Sequence, residues 1–184
     1  FGDKINEQLI KEMADRIVED GYRDLGYEYI IIDDCWSLRE RVDGKLVADP
    51  ALFPNGMKAL ADYIHSKGLK FGMYSCAGTK TCAGYTSILD APVDYEFSDA
   101  KQFAEWGVDY LKYDFCYFPV SGDAKNAYLT MAMALRSTGR DILFAACNWG
   151  MYDPSGWMRS HGAHSYRSTG DIFDGPKSYK DLFI

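Results

Sequence analysis

The sequence has no apolar run approaching the roughly 20 residues that a membrane-crossing helix needs. Histidine is scarce: the three present, His65, His161 and His164, are scattered without metal-ligand spacing. The five cysteines, at 35, 76, 82, 116 and 147, form no CxxC or Cys/His zinc pattern, and the odd number leaves at least one unpaired within the chain. There is no GxGxxG turn and no Walker loop, so nothing marks a nucleotide-phosphate cradle. Positive charge is in deficit: Lys and Arg total 20 against 27 Asp and Glu, a formal net charge of −7, with a pI near 4.9. That balance argues against nucleic acid or an anionic membrane surface as partner. The chain opens at Phe1 without a charged n-region or apolar h-region, so a signal peptide is expected to be absent or already removed.

The 184 residues present, 47% of them hydrophobic, are enough for one domain with a sizeable core. The 14 tyrosines and 4 tryptophans suit a sugar-binding cleft as well as an ordinary core. Helix and strand patterns alternate. Ile5, Leu9, Met13 and Ile17 recur at spacing four and predict an amphipathic helix over 3–20. A β-rich run follows at 26–33, then a helix near 55–67 with Met57, Leu60, Ala61 and Ile64 on one face, ended by Gly68. Residues 69–75 read as a strand, 76–97 as a Gly/Thr-rich loop, 98–106 as a short helix and 108–114 as a third strand. A helix near 123–138, a strand over 141–148, a helical turn around 153–161 and a strand over 163–168 complete the pattern.

Strands alternating with helices imply a parallel sheet. Several strand ends carry polar side chains: Asp33 and Asp34, Asp114, Asn148. In an α/β barrel, working residues sit at the C-terminal ends of several strands at once, whereas a doubly wound sheet would want a phosphate turn after its first strand. Here that position holds "DDCW". The expected fold is therefore a (β/α)8 TIM barrel. A whole one takes about 250 residues, so residues 1–184 read as an incomplete barrel of about five central βα units. Its missing strands are expected before residue 1 and after residue 184.

The run "DYLKYDFC" (109–116) places Lys112 and Asp114 two apart in a strand, hence on the same side. A buried charge is costly without a partner, so the pair is a salt bridge or the floor of a site. Read alone, Asp33 and Asp34 suit a solvated turn, Asp171 a helix cap, and Arg167 an ion pair with a neighbouring acid. Together they bring several carboxylates, a lysine and an arginine to one barrel mouth. A carboxylate pair there is the equipment of glycoside hydrolysis, one group attacking the anomeric carbon and one protonating the leaving oxygen.

The motifs "YEYIIIDDCW", "VADPALFPNGMKALADYIHSKGLKFGMYS", "GTKTCAGY", "FAEWGVDYLKYDFC" and "YRSTGDI" run in order through nearly the whole chain. In them the sequence resembles the α-galactosidase/α-N-acetylgalactosaminidase glycosidases, glycoside hydrolase family 27. The resemblance implies a retaining mechanism on a (β/α)8 barrel, with no cofactor and no metal, acting on a galactoside or related oligosaccharide. It puts the nucleophile on Asp114 and the acid/base on Asp171. It puts sugar contacts on Asp33, Asp34, Tyr74, Cys82, Lys112, Asn148 and Arg167. It also suggests a disulfide between Cys82 and Cys116, with Cys35 and Cys147 left unpaired, and such a bond favours a secreted, lysosomal, vacuolar or periplasmic location.

In this scheme Lys112 favours the charged form of Asp114, while Asp171, protonated at the start of the cycle, is expected in more apolar or more acidic surroundings. A retaining pair should sit about 5–5.5 Å apart. Two departures bear on the substrate. Asn148 stands where many relatives carry the glutamate of a "CEW" motif, and Met151 is large where the N-acetylgalactosaminidases have small residues, which favours a plain 2-hydroxyl. The rivals are α-N-acetylgalactosaminidase or β-L-arabinopyranosidase activity, a Schiff-base aldolase built on Lys112, and a non-catalytic sugar-binding protein. Residues 1–184 alone are expected to be poorly soluble or associated, and inactive, with open edges at 27–33 and at or just beyond 163–167.

Overall fold

The computed structural model describes residues 2–90 and 93–175. A 3-10 turn, Gly2–Lys4, leads into helix α1 (Glu7–Glu19), capped by Asn6, whose side-chain oxygen accepts from Leu9 N at 2.9 Å. A 3-10 turn at Arg23–Leu25, strand β1 (Tyr29–Ile31), helix α2 (Gly56–Ser66) and strand β2 (Lys70–Cys76) follow. Then come a small hairpin, β3 (Leu89–Asp90) with β4 (Val93–Asp94), helix α3 (Glu96–Trp106) and strand β5 (Tyr110–Asp114). Helix α4 (Ala124–Ser137), strand β6 (Leu143–Ala146), a 3-10 turn at Pro154–Gly156 and strand β7 (Ser165–Tyr166) complete the described elements. The antiparallel hairpin is a departure from the loop expected over 76–97. Its strands are two residues each, too short for alternation to be visible in the sequence.

The main sheet has the order β1-β2-β5-β6-β7 and every pair is parallel. The order never reverses along the chain. A doubly wound sheet has a reversal point; a barrel does not. The two faces differ accordingly. Ile30, Phe71, Met73, Leu111, Tyr113, Phe144 and Ala146 are buried and pack with Met57, Leu60, Ile64, Phe103, Met131 and Leu135 from the helices. On the opposite face Tyr29, Tyr110, Lys112 and Leu143 are half-buried and Ile31 is exposed. Among the described residues β1 and β7 are the outer strands, as the sequence pattern expects.

Glycine is required where this frame is tightest. A Cβ on Gly72, in the middle of β2, would lie 2.7 Å from Ile31 Cγ1 and 3.1 Å from Tyr110, side chains of the two flanking strands. A Cβ on Gly78 would meet the carbonyl oxygen of Cys116 at 1.9 Å, so the loop after β2 reaches the end of β5 only because it has none.

Candidate active site

The polar residues singled out in the sequence lie at or just beyond the C-terminal ends of all five strands of the main sheet. Register sets their order: Tyr74 of β2 stands opposite Lys112 of β5, Cys76 opposite Asp114, and Lys112 opposite Ala145 of β6. Beyond the last pairs, Cys147 N donates to Tyr113 O at 2.9 Å and Arg167 N to Ala146 O at 3.0 Å, which carries the ladder past the strand ends. Backbone strain collects here. Cys35, Tyr117 and Trp149, one just beyond each of β1, β5 and β6, have φ of 71, 52 and 56°. Non-glycine residues hold such angles only where their surroundings fix them, which is common at functional sites.

Lys112 joins the strand ends. Its Nζ is 2.7 Å from Asp33 Oδ2 and 3.9 Å from Asp114 Oδ2, and it lies 5.1 Å from the centre of the Tyr74 ring. The same-face rule correctly places Lys112 with Asp114, but the closer partner is Asp33, 79 residues away in sequence. Burial disfavours the ammonium, yet the Asp33 hydrogen bond and the carboxylates of Asp33 and Asp114 outweigh it and hold the pKa above the ordinary lysine value. Asp114 itself is 5% exposed; its Oδ1 accepts from Phe115 N at 2.9 Å.

Asp33 Oδ1 accepts from Asp34 N at 2.8 Å. Asp34 accepts from Cys35 N at 2.7 Å and, through Oδ2, from Ala83 N at 2.8 Å, which docks the 81–85 loop onto β1. Cys82 and Cys116 are bonded, and Tyr74 donates its phenol proton to Cys82 Sγ at 3.2 Å. Burial, reinforced by Asp114, pushes the Tyr74 phenol far up, so it remains a donor. Cys35, Cys76 and Cys147 are free and buried, as the expected pairing left the first and third of them.

On the other side, Arg167 Nη1 is 2.7 Å from Asp171 Oδ1 and 3.7 Å from Cys147 Sγ. Cys147, treated in the sequence only as an odd cysteine, thus stands between the arginine and the Lys112–Asp114 charges. Burial first, and then the Asp114 charge, push its thiol up to about 11. Its place beside Asn148 at a predicted strand end was the available signal. Two expectations need correction. Asp171 is exposed and its described partner is a cation, not an apolar or acidic surround; Arg167, four residues before it on the same excursion from β7, reaches it first. Asn148 is 0% exposed: its Nδ2 donates to Met151 O and its Oδ1 has no partner among the described residues. The turn 148–151, with Trp149 left-handed and Met151 N bonded to Asn148 O at 2.9 Å, folds over it.

Asp33 and Asp114 face Lys112 and Asp171 faces Arg167, three carboxylates against two cations. An excess of negative charge, with one buried carboxylate at the end of a central strand, suits chemistry that develops positive charge on its substrate.

Comparison with known proteins gives the same frame. An α-galactosidase of Cyamopsis tetragonoloba is 49% identical over 175 residues, 95% of this chain and 41% of the relative. The crystal structure of α-galactosidase I from Mortierella vinacea matches with a TM-score of 0.89 at 45% identity, covering 95% of this chain and 44% of that one. An α-galactosidase of Saccharomyces cerevisiae, solved with raffinose, matches with a TM-score of 0.88 at 44% identity, over 95% and 38% of the two chains. The chain thus spans about two-fifths of the length of the curated relatives it matches. Residues 2–183 match the family model described as alpha galactosidase A, and the chain belongs to that family, the melibiase-type α-galactosidases of glycoside hydrolase family 27.

Proposed function

We propose that residues 1–184 are the central part of a glycosidase catalytic barrel that removes terminal α-D-galactosyl residues from oligosaccharides with retention of configuration. Asp114 attacks the anomeric carbon and forms a covalent glycosyl-aspartate; Asp171 protonates the departing oxygen and then deprotonates the incoming water. Asp33, Asp34, Lys112 and Arg167 hold the sugar hydroxyls, with Tyr74 and the Cys82–Cys116 bond forming the wall behind them. Asn148 takes part once the 148–151 turn opens. The observation that carries this reading is the placement of Asp114: buried at the end of β5, with Oδ1 held by Phe115 N and Oδ2 facing, among the described residues, the ammonium of Lys112 at 3.9 Å. One oxygen is oriented; the other is free to attack.

The aldolase alternative needs Lys112 as a neutral amine. Its raised pKa and its bond to Asp33 keep it an ammonium at neutral pH, which counts against a Schiff base. A sugar-binding protein without catalysis has no use for Asp114 and Asp171 as a reactive pair. The test is hydrolysis by the full-length protein of nitrophenyl α-galactoside, α-N-acetylgalactosaminide and β-L-arabinopyranoside. The α-galactoside is expected to be cleaved fastest. A preference for either of the others, or no cleavage of all three, would overturn the assignment.

A further inference from the structure

Asp114 does not stand alone at the end of β5. One of its carboxylate oxygens and the Sγ atoms of Cys82 and Cys116 all lie within 4.8 Å of one another. While the sulfurs are bonded to each other, neither is a thiolate. Once reduced, the same positions offer two thiolates and a carboxylate, a ligand set that suits Zn²⁺ with its fourth position open. We propose that the Cys82–Cys116 disulfide caps a latent zinc site, opened by a dithiol reductant, with Cys82, Cys116 and Asp114 as ligands.

The balance is simple. The dithiol gives two electrons and two protons to the cysteines and leaves as its own disulfide; Zn²⁺ then displaces the two thiol protons. With Zn–S bonds of about 2.3 Å in tetrahedral geometry, the sulfurs need to part to about 3.8 Å. The Cα atoms, 5.1 Å apart, accommodate that by side-chain rotation.

The site survives loss of the bond because each cysteine is held by other contacts. On the Cys82 side, Ala83 N stays on Asp34 at 2.8 Å, and the turn is closed by Thr81 N to Tyr85 O at 3.0 Å and Gly84 N to Thr81 O at 2.8 Å. On the Cys116 side, the carbonyl accepts from Cys76 Sγ at 3.2 Å, and Tyr117 O accepts from Thr79 N at 3.2 Å. Tyr74 is already a donor to Cys82 Sγ, the outer partner that orients a metal-bound thiolate. Cys82 is exposed, which gives reductant and metal a path, while Asp114 lies at the buried end of the site. The remaining cysteines compete poorly: Cys35, Cys76 and Cys147 are all buried.

Metal binding stands independently of the glycosidase reading; only its consequence, that zinc on Asp114 stops sugar cleavage, rests on it. The experiment uses the full-length protein, reduced with dithiothreitol and desalted without air, with Co²⁺ as the coloured probe for zinc. The expected result is one equivalent of Co²⁺ bound with a thiolate-to-cobalt charge-transfer band, and none by the unreduced protein. Cys82→Ser should lose the band, and Asp114→Asn should keep it but bind about 10–100-fold more weakly, on the scale of lost metal-site groups. Circular dichroism on the same samples follows the fold. The proposal fails if the reduced, folded protein takes up no cobalt, if the band survives Cys82→Ser, or if Asp114→Asn binds as tightly. It fails equally if reduction unfolds the protein, since the surrounding contacts would then not hold the site.

Discussion

Two ion pairs in this molecule use the same chemistry for different ends. Arg41 and Asp99 are sealed, their side chains 4% and 1% exposed. The guanidinium binds both carboxylate oxygens at 2.7 and 2.6 Å, donates to Gly44 O and Ser87 O at 3.2 and 2.9 Å, and stacks on Tyr95 at 3.8 Å. The pair clamps the loop after β1 to α3 and to the segment before the hairpin; all four bonds come from Nη1 and Nη2, and Nε is buried without a partner among the described residues. Lys112 and Asp33 meet through one contact at 2.7 Å, with side chains 28% and 65% exposed. An ammonium has three donors, so two remain beyond the Asp33 bond. Burial and near-complete bonding make the first pair a structural clamp, while exposure and spare donors leave the second able to meet a ligand; charge alone distinguishes neither.

Substitutions should separate the two regions. The largest effect belongs to the carboxylate beside the open pair: Asp114→Asn should lower kcat by about 10⁴-fold or more, with little change in the melting temperature measured on the same sample. Next comes the sealed pair. Arg41→Met leaves Asp99 buried and uncompensated, at a cost of about 3–5 kcal/mol in denaturant unfolding. Folded Arg41→Met enzyme should keep its KM; a raised KM with unchanged stability would make Arg41 a site residue and dissolve the contrast.

Lys112→Met should reverse that pattern, with kcat/KM down about 10²–10³-fold, the scale of a lost electrostatic contact at a reacting centre. Its stability cost should stay within about 1 kcal/mol because the pair is half open to water. The smallest effect is on pH. The folded-state pKa of Lys112 is raised, burial opposing and Asp33 and Asp114 prevailing, so the pair's contribution is fully present below the unfolded lysine value and lost as pH rises through the folded one. The stability difference between wild type and Lys112→Met should therefore shrink above about pH 10.4. A difference that grew with pH would mean that Lys112 is not held as an ammonium.

Much of this was legible in the sequence because periodicity reports on burial. The Met57-Leu60-Ala61-Ile64 stripe became the buried face of α2, and the polar strand ends became the mouth. The expected disulfide formed, and the outer strands fell where the pattern put them. What periodicity does not carry is pairing across long separations. Spacing of two placed Lys112 beside Asp114, but only the neighbouring order of β1, β2 and β5 brings Asp33 closer to that ammonium. Arg41–Asp99 spans 58 residues and left no trace at either position. The closure over Asn148 depends on a left-handed Trp149, an angle the residue type does not advertise. Arg167 does pair with a neighbouring acid, as its residue type suggests, but that this acid is Asp171 was not legible in the sequence.

The most direct test of the account is to trap the glycosyl-enzyme. The full-length protein would be incubated with an activated, fluorine-slowed α-galactoside, and the modified peptide located by mass spectrometry. The account predicts one sugar per chain, ester-linked to Asp114. A label on Asp171, on Lys112 or on any residue other than Asp114 would contradict it.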